Sequence, residues 1–75
     1  MIINTSKVGS MCAYYRKKVL NVSQETVAKD LFVNRSYVSN FENGKNTSYV
    51  ILEWYISHGL LDTFSLVELG LYNAS

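Results

Sequence analysis

Five polar side chains, Arg35, Ser36, Tyr37, Ser39 and Asn40, lie on the outer side of one short predicted helix. Arginine and asparagine hydrogen-bond the base edges of the major groove, and hydroxyl groups bind bases or phosphates. A capped helix that follows another short helix after a tight turn fits into this groove, which is about 12 Å wide. The chemistry that these residues offer is therefore recognition of duplex DNA.

The remaining reactive side chains do not form a catalytic pattern. His58 is the single histidine and Cys12 the single cysteine, the carboxylates are scattered, and no glycine-rich phosphate loop is present. These residues provide neither a catalytic triad nor a paired-acid site nor a metal cluster. We expect no enzymatic activity, no cofactor and no metal, with His58 at a helix end and Cys12 buried as an inert thiol.

Charge is distributed unevenly along the chain. The formal net charge is only +1, but all seven basic residues lie in the first 45 positions, where three acidic residues leave a balance of +4. The last 30 residues carry three acidic residues and no basic one. A basic half that faces phosphate and an acidic half that does not are typical of a small DNA-binding module.

Apolar spacing and caps predict the elements that position the polar side chains. Apolar residues at helical intervals predict a first helix over about 6–20. Ser23 and Asn34 are N-caps for a second helix over about 24–31 and a third that ends before Gly44. Together, the second and third helices predict a helix-turn-helix over about 23–44.

Two further helices are predicted after the polar loop. One, over about 49–58, is apolar nearly all round, and the capping-box spacing of Ser65 and Glu68 predicts another over about 66–72. A helix that is apolar on all sides must be buried on more than one face, so a second chain is expected to cover part of it. The region 49–72 is the expected dimerisation region, with an interface of Tyr49, Trp54, Tyr55, Leu60 and Leu61.

Composition is consistent with one small helical domain over residues 1–75. Hydrophobic residues make up 48% of the chain and proline is absent, which favours an all-α, compact bundle of about five short helices. A single cysteine gives no disulfide, and there is neither a signal-like segment nor a long apolar run. The expected location is the cytoplasm, without membrane association.

Three segments carry a family resemblance. Val22-Ser-Gln-Glu-Thr-Val-Ala, then Asn34-Arg-Ser-Tyr-Val-Ser, then Phe41-Glu-Asn-Gly-Lys resemble the Cro/cI-type (XRE) helix-turn-helix family of repressors. The resemblance covers roughly residues 8–60 and implies a lambda-repressor-like DNA-binding domain. The last segment, at this distance from the Ser-Gln-Glu helix start, is more specific than a lone short motif.

The resemblance implies roles for particular positions. The family's recognition positions match Arg35, Ser36, Ser39 and Asn40, of which Arg35 suits guanine and Asn40 suits adenine. Gln24 matches a glutamine that binds a phosphate and braces the recognition helix. The remaining expected backbone contacts are Asn34, Tyr37, Asn43, Gly44, Lys45, Arg16 and Lys17.

The family's glutamate at Glu42 usually pairs with a basic residue on the first helix. The connection to the second helix is about one residue longer than the common pattern, so both Arg16 and Lys17 are candidates. Two departures also stand out. Phe32 occupies a turn position where glycine is frequent and positive φ is comfortable, and Thr26 replaces the glutamate that would complete a capping box.

The expected function is that of a transcriptional regulator, in particular a repressor of the kind found in bacteriophages and mobile elements, bound to a pseudo-palindromic operator as a homodimer. Its partner would be double-stranded DNA. The alternative is a helix-turn-helix scaffold whose apolar fourth helix binds a protein partner, as an inhibitor of a host system or an antitoxin. Sedimentation and the salt dependence of DNA binding separate the two.

Overall fold

The computed structural model describes Ile2–Ile3, residues 5–65 and Leu71–Tyr72. In chain order the elements are β1 (Ile2–Ile3), α1 (Thr5–Tyr15), a π-helical turn (Arg16–Leu20), α2 (Gln24–Leu31), α3 (Arg35–Glu42), α4 (Tyr49–Ser57), α5 (Leu60–Thr63) and β2 (Leu71–Tyr72). The predicted all-α class is confirmed: the described part of the chain is a small bundle of five α-helices. The only extended pairing described is the two-residue antiparallel contact between β1 and β2.

The first predicted helix divides into α1 and the π-helical turn. The turn ends at Asn21, which adopts a left-handed conformation (φ 54°) and donates its backbone N–H to the carbonyl of Arg16. A π-helical turn accommodates an extra residue within a helix. It therefore accounts for the longer connection that the sequence shows ahead of α2.

Side-chain caps begin the next two helices at the predicted residues. The hydroxyl of Ser23 accepts the Thr26 amide at 3.1 Å, and Asn34 Oδ1 accepts the Ser36 amide at 3.0 Å. The hydroxyl of Thr26 also lies 3.0 Å from that of Ser23, a side-chain contact in place of the backbone bond that a glutamate would make in a capping box. The predicted helix-turn-helix is thus present as α2, a turn and α3.

The core is formed by the inner sides of α1 to α4 together with the first residue of α5. Its fully buried side chains include Tyr55, Phe41 and Ile51. Cys12 lies among them, and burial raises the pKa of its thiol to about 12. As a result this cysteine stays protonated and packs as an apolar group.

Gly9 sets the distance between α1 and α3. A Cβ atom at this position would lie 2.3 Å from the carbonyl oxygen of Phe41 and 2.9 Å from that of Glu42. No side chain fits there, so the two helices approach more closely than any larger residue allows. This contact positions the end of α3 against α1.

The prediction for the last helix requires a correction. Leu71–Tyr72 form β2, with Tyr72 opposite Ile2 and Leu71 opposite Ile3, so the prediction of a helix to residue 72 is wrong at these two residues. Residues 66–70 of that prediction lie outside the described residues. A local capping signal carries no information about a partner strand that is distant in sequence, so it did not indicate the strand at Leu71–Tyr72.

The short helix α5 was not predicted. Gly59, at φ 95°, ends α4 and permits the chain to reverse, and a Cβ there would lie 2.7 Å from the hydroxyl of Tyr15. Leu60 then enters the core. None of the described helices is long and apolar enough to cross a membrane.

Candidate nucleic-acid interface

The turn between α2 and α3 fixes where α3 points. Phe32 is left-handed (φ 57°, ψ 42°), and its N–H binds the carbonyls of Ala28 and Lys29 at the end of α2. The amide of Val33 also binds the carbonyl of Ala28, at 3.0 Å. The turn therefore keeps the positive φ that suits glycine, even though phenylalanine occupies it.

The outer face of α3 carries the predicted base-contacting residues. Arg35, Ser36 and Asn40 are exposed and Ser39 is half-buried, whereas Val38 and Phe41 on the other side are in the core. The spacing places Arg35, Ser36, Ser39 and Asn40 along one side of the helix. The structure thus brings the four predicted base contacts together on one surface.

The polar side chains on this face differ in their partners. Ser36 donates to Asn34 Oδ1 at 3.0 Å, and the hydroxyl of Ser39 accepts from the side-chain Nδ2 of Asn43 at 3.4 Å. Within the described residues, the side chains of Arg35 and Asn40 have no hydrogen-bond partner, so their donors and acceptors remain available to a ligand.

A basic cleft of about 380 Å³ opens where α2 begins. It is lined by Arg16, Lys17, Ser23, Gln24, Glu25 and Arg35. The first amides of α2 have no partner within the helix, and the helix dipole adds partial positive charge there. Lys17, Gln24 and Arg35, which the sequence indicated separately, therefore share one cleft suited to a phosphate group.

A buried hydrogen-bond network holds the outer face in position. Glu42, the last residue of α3, accepts from Arg16 Nε at 2.9 Å and Nη2 at 3.0 Å, and from Gln24 Nε2 at 3.0 Å. Tyr55 of α4 donates its hydroxyl to the same carboxylate. One carboxylate thus joins the end of α3 to the π-helical turn, α2 and α4.

Burial and hydrogen bonding act in opposite directions on this carboxylate. Burial alone raises the pKa of Glu42, but the hydrogen bonds from Arg16, Gln24 and Tyr55 outweigh it and hold that pKa below its ordinary value of 4.5. The pKa of Arg16 is raised, chiefly by its hydrogen bond to Glu42. Burial raises the pKa of Tyr55. The pair is consequently ionised at neutral pH, and Tyr55 is neutral.

These contacts decide between the two candidate partners of Glu42. Arg16 is the partner, whereas Lys17 is exposed on the basic cleft. Because Arg16 is buried and also donates Nη1 to the carbonyl of Val22, we withdraw it from the expected phosphate contacts. Gln24 is half-buried, and its bond to Glu42 is the bracing contact that the resemblance implied.

The loop after α3 is held by backbone bonds. Gly44 has φ 76°, its amide binds the carbonyl of Phe41 at 3.1 Å, and the Lys45 amide binds that of Asn40 at 2.8 Å. Asn43 and Lys45 are exposed beside the end of α3, and Tyr37 is exposed on its flank. Lys45 is therefore accessible to a ligand beside the outer face of α3.

A second cleft is lined by Lys18, a basic residue that is not among the expected DNA contacts. About 420 Å³ in volume, it is lined by Ser10, Ala13, Tyr14, Lys17, Lys18, Glu42 and Asn43. Lys17 borders both clefts, and Lys18 lies beside it near Asn43. The basic residues at 16–18 form either a solvated face or, as the resemblance implies for this end of the first helix, a surface near the DNA backbone, and the sequence left these two interpretations of Lys18 open.

The expected dimer residues have different environments. Tyr55 and Leu60 are completely buried in their own chain, and Trp54 is largely buried, donating its indole N–H to Asp30 at 2.7 Å and stacking on His58. Tyr49 and Leu61 are exposed. Because an interface needs accessible groups, Tyr55 and Leu60 are corrected from interface residues to core residues.

Comparison of the chain with protein-family models, with curated proteins and with solved structures gave no match. Within the described residues, no three histidine, cysteine, aspartate or glutamate side chains come together as a metal ion would require. The features of the described residues that bear on function are the helix-turn-helix and the polar and basic side chains around it.

Proposed function

We propose that this chain is a sequence-specific, double-stranded-DNA-binding regulator that inserts α3 into the major groove. The observation that carries the proposal is the outer face of α3, where Arg35 and Asn40 are exposed and have no side-chain partner among the described residues. Unpaired donors and acceptors on a rigid helix form base contacts without first breaking bonds in the protein. The family resemblance favours repression as the mode of regulation.

The surroundings of α3 support this proposal with sites for phosphate. The basic cleft at the start of α2 lies next to the N-terminal end of α3, where Arg35 lines it, and Lys45 follows the C-terminal end of α3. Lys17 and Lys18 extend the positive surface along the second cleft. Phosphate contacts at both ends would fix the register in which Arg35 and Asn40 meet base pairs.

A two-fold homodimer completes the proposed function. Two copies present two recognition helices, and half-sites one helical turn, about 34 Å, apart would form a pseudo-palindromic operator. The contact area of one small domain with DNA gives limited affinity, which a second copy raises by linking two binding events.

Selection of binding sites from a pool of random duplexes tests the proposal. The purified chain, at modest salt and with random competitor DNA, is expected to enrich a two-fold-related pair of short motifs. The Asn40→Ala variant, which removes an exposed side chain without touching the core, is expected to lose preference at one position of each motif. If the natural chain enriches no sequence, the proposal is wrong.

The second candidate function is binding of a protein partner through α4. It is favoured by the exposure of three apolar side chains on this helix, Tyr49, Val50 and Ile56. Binding to DNA that does not weaken as salt rises, together with a chain that is monomeric in solution, would favour this alternative over DNA recognition.

A further inference from the structure

Within the described residues, α4 is bonded to each of the three helices before it by one side-chain hydrogen bond. Tyr15 of α1 donates its hydroxyl to the carbonyl of His58, at the end of α4, at 2.6 Å. The indole N–H of Trp54 donates to Asp30 of α2 at 2.7 Å. The third bond, from Tyr55, reaches α3, and the described residues contain no other hydrogen bond between these two helices.

This third bond lies in the core. Tyr55 is completely buried, only 6% of Glu42 is exposed, and the hydroxyl of Tyr55 lies 2.5 Å from Glu42 Oε2. A hydrogen bond to an ionised acceptor is short, strong and directional, whereas apolar packing has no preferred direction. The bond therefore restricts how α3 and α4 lie against each other more narrowly than packing does.

The other donors to this carboxylate do not replace the hydroxyl of Tyr55. Arg16 belongs to the π-helical turn and Gln24 to α2, so their bonds fix Glu42 relative to those two elements. Neither belongs to α4. Each oxygen of the carboxylate accepts two bonds, and loss of the hydroxyl leaves Oε2 with Arg16 Nε alone.

Packing of the aromatic ring does not account for a tyrosine at this position. The ring of Tyr55 meets that of Trp54 edge to face, with centroids 5.1 Å apart, and a phenylalanine ring would make the same contact. Burial of a hydroxyl costs free energy unless it is hydrogen-bonded, and the partner here is Glu42. What the hydroxyl adds to the ring is thus a contact with α3.

We propose that Tyr55 is a positioning residue for the outer face of α3: through Glu42 its hydroxyl sets the orientation of α3 relative to α4, and sequence-specific binding depends on that orientation. Arg35 begins α3 and Asn40 lies near its end, so a change in the angle of the helix displaces the two side chains by different amounts from base edges. Lysine side chains are flexible and follow a phosphate through such a change. This inference rests on the proposed function and adds to it a residue that touches no DNA.

Binding to the selected operator and to random duplex, measured side by side, tests the proposal. Tyr55→Phe keeps the ring and removes the hydroxyl, so the ratio of operator affinity to random-duplex affinity is expected to fall roughly tenfold, as loss of one base contact would cause. Affinity for random duplex is expected to stay unchanged, because it depends on phosphate contacts. An unchanged ratio would overturn the proposal.

Tyr15→Phe is the matched control. Tyr15 is also buried, with 4% of its surface exposed, and its hydroxyl also makes one hydrogen bond to α4, but this bond does not involve Glu42. Both variants are expected to lose similar stability in urea, whereas only Tyr55→Phe is expected to lose operator preference. Equal loss of preference in both would mean that general loosening of the core, and not the bond to Glu42, is responsible, and the proposal would be wrong.

The carboxylate itself provides a second readout. The hydrogen bond from Tyr55 contributes to the lowered pKa of Glu42, so NMR titration of the Glu42 carboxyl carbon is expected to give a higher pKa in Tyr55→Phe and the natural value in Tyr15→Phe. The other groups around this carboxylate stay the same in both variants: Arg16 and Gln24 bonded to it, the neutral thiol of Cys12, and Lys17 and Lys18 on the second cleft. An unchanged pKa in Tyr55→Phe would contradict the contact on which the proposal depends.

Amide hydrogen exchange without DNA separates failure of this inference from failure of the proposed function. The amides of α3 are expected to exchange roughly tenfold faster in Tyr55→Phe than in Tyr15→Phe, because only the first variant releases α3 from α4. A natural chain that selects no duplex would contradict the proposed function, and faster exchange in α3 would still support the role of Tyr55 in orienting this helix. Equal exchange in the two variants would overturn that role.

Discussion

At the scale of single residues, the exposed face of α3 contains two kinds of polar side chain. Ser36 and Ser39 take part in hydrogen bonds that stabilise the helix ends, whereas Arg35 and Asn40 are unpaired within the described structure. The first kind, Ser36 and Ser39, helps to hold the outer face of α3 in shape. The second kind would supply the sequence information if the proposed DNA binding is correct.

Replacing Arg35 by alanine is expected to weaken binding to the selected operator by about 1–3 kcal/mol and to relax preference at one base pair. The reason is that one bidentate contact to a base edge is lost while the backbone contacts remain. Titration of the variant against single-base operator variants measures both effects. Unchanged affinity and unchanged base preference would mean that Arg35 does not face a base.

Lys45→Ala is the matched comparison for a backbone contact. This residue is exposed in the loop after α3, so its loss is expected to weaken binding to all sequences by a similar factor. The same titrations provide the measurement. A change in base preference for Lys45→Ala would contradict the assigned role.

Glu42→Gln is expected to lower the free energy of unfolding by about 3–5 kcal/mol. The buried guanidinium of Arg16 then loses its counter-charge but stays in the core. Urea denaturation measures the loss, and Glu53→Gln, at an exposed residue of α4, is the control and is expected to change stability little. If the two substitutions had equal effects, the hydrogen-bond network around Glu42 would not be what holds α3 in position.

The same carboxylate gives a stability that depends on pH. The pKa of Glu42 is lower in the folded chain than in the unfolded chain, so its contribution is complete above the ordinary value of 4.5 and is lost as the pH falls through the lowered pKa. Denaturation measured between pH 7 and pH 2 is expected to show this loss in the natural chain. Glu42→Gln is expected to have a shallower acid slope, and an identical slope would contradict the assignment.

At the scale of elements, the packing of α1 against α3 depends on Gly9. Alanine at this position is expected to destabilise the fold by about 1–3 kcal/mol, because its Cβ would collide with two backbone carbonyls that cannot rotate away. The gain of about 1 kcal/mol in helix propensity does not compensate for this strain. Thermal denaturation measures the difference, with Ser10→Ala as the exposed control on the same helix. Equal stability of the two variants would argue against a close helix contact.

The elements that sequence predicted well are those with local signals. Side-chain caps at Ser23 and Asn34 mark where α2 and α3 begin, because a cap involves only residues a few positions apart. The pairing of β1 with β2 joins the two ends of the chain, so no local pattern indicates it. The core positions of Tyr55 and Leu60 depend likewise on how helices meet, which an apolar pattern on one helix does not specify.

The same distinction applies to the candidate site. The residue types on the outer face of α3 were predictable because they follow from the cap and the helical period. The choice of Arg16 over Lys17 as the partner of Glu42 depends on the π-helical turn, which alters the direction of successive side chains. Sequence alone left this choice open, and the wide turn decides it in favour of Arg16.

At the scale of the whole molecule, exposed positive charge lies on several sides of the outer face of α3, which is the surface proposed to contact bases. Contacts of Lys17, Lys18 and Lys45 with phosphates would give log K a slope of about −2.7 against log salt for each protomer. Binding measured across a salt series on the selected operator checks this value. Asp62→Asn, at an exposed residue of α5, is expected to leave the slope unchanged, and a slope near zero in the natural chain would exclude these contacts.

The π-helical turn at Arg16–Leu20 also accommodates an extra residue in the connection to α2. It absorbs one residue between a fixed ion pair at Arg16 and a fixed cap at Ser23, so neither anchor has to move when the connection changes length. Removal of one residue from this turn is therefore expected to change the turn itself and to leave the arrangement of α2 and α3 as it is.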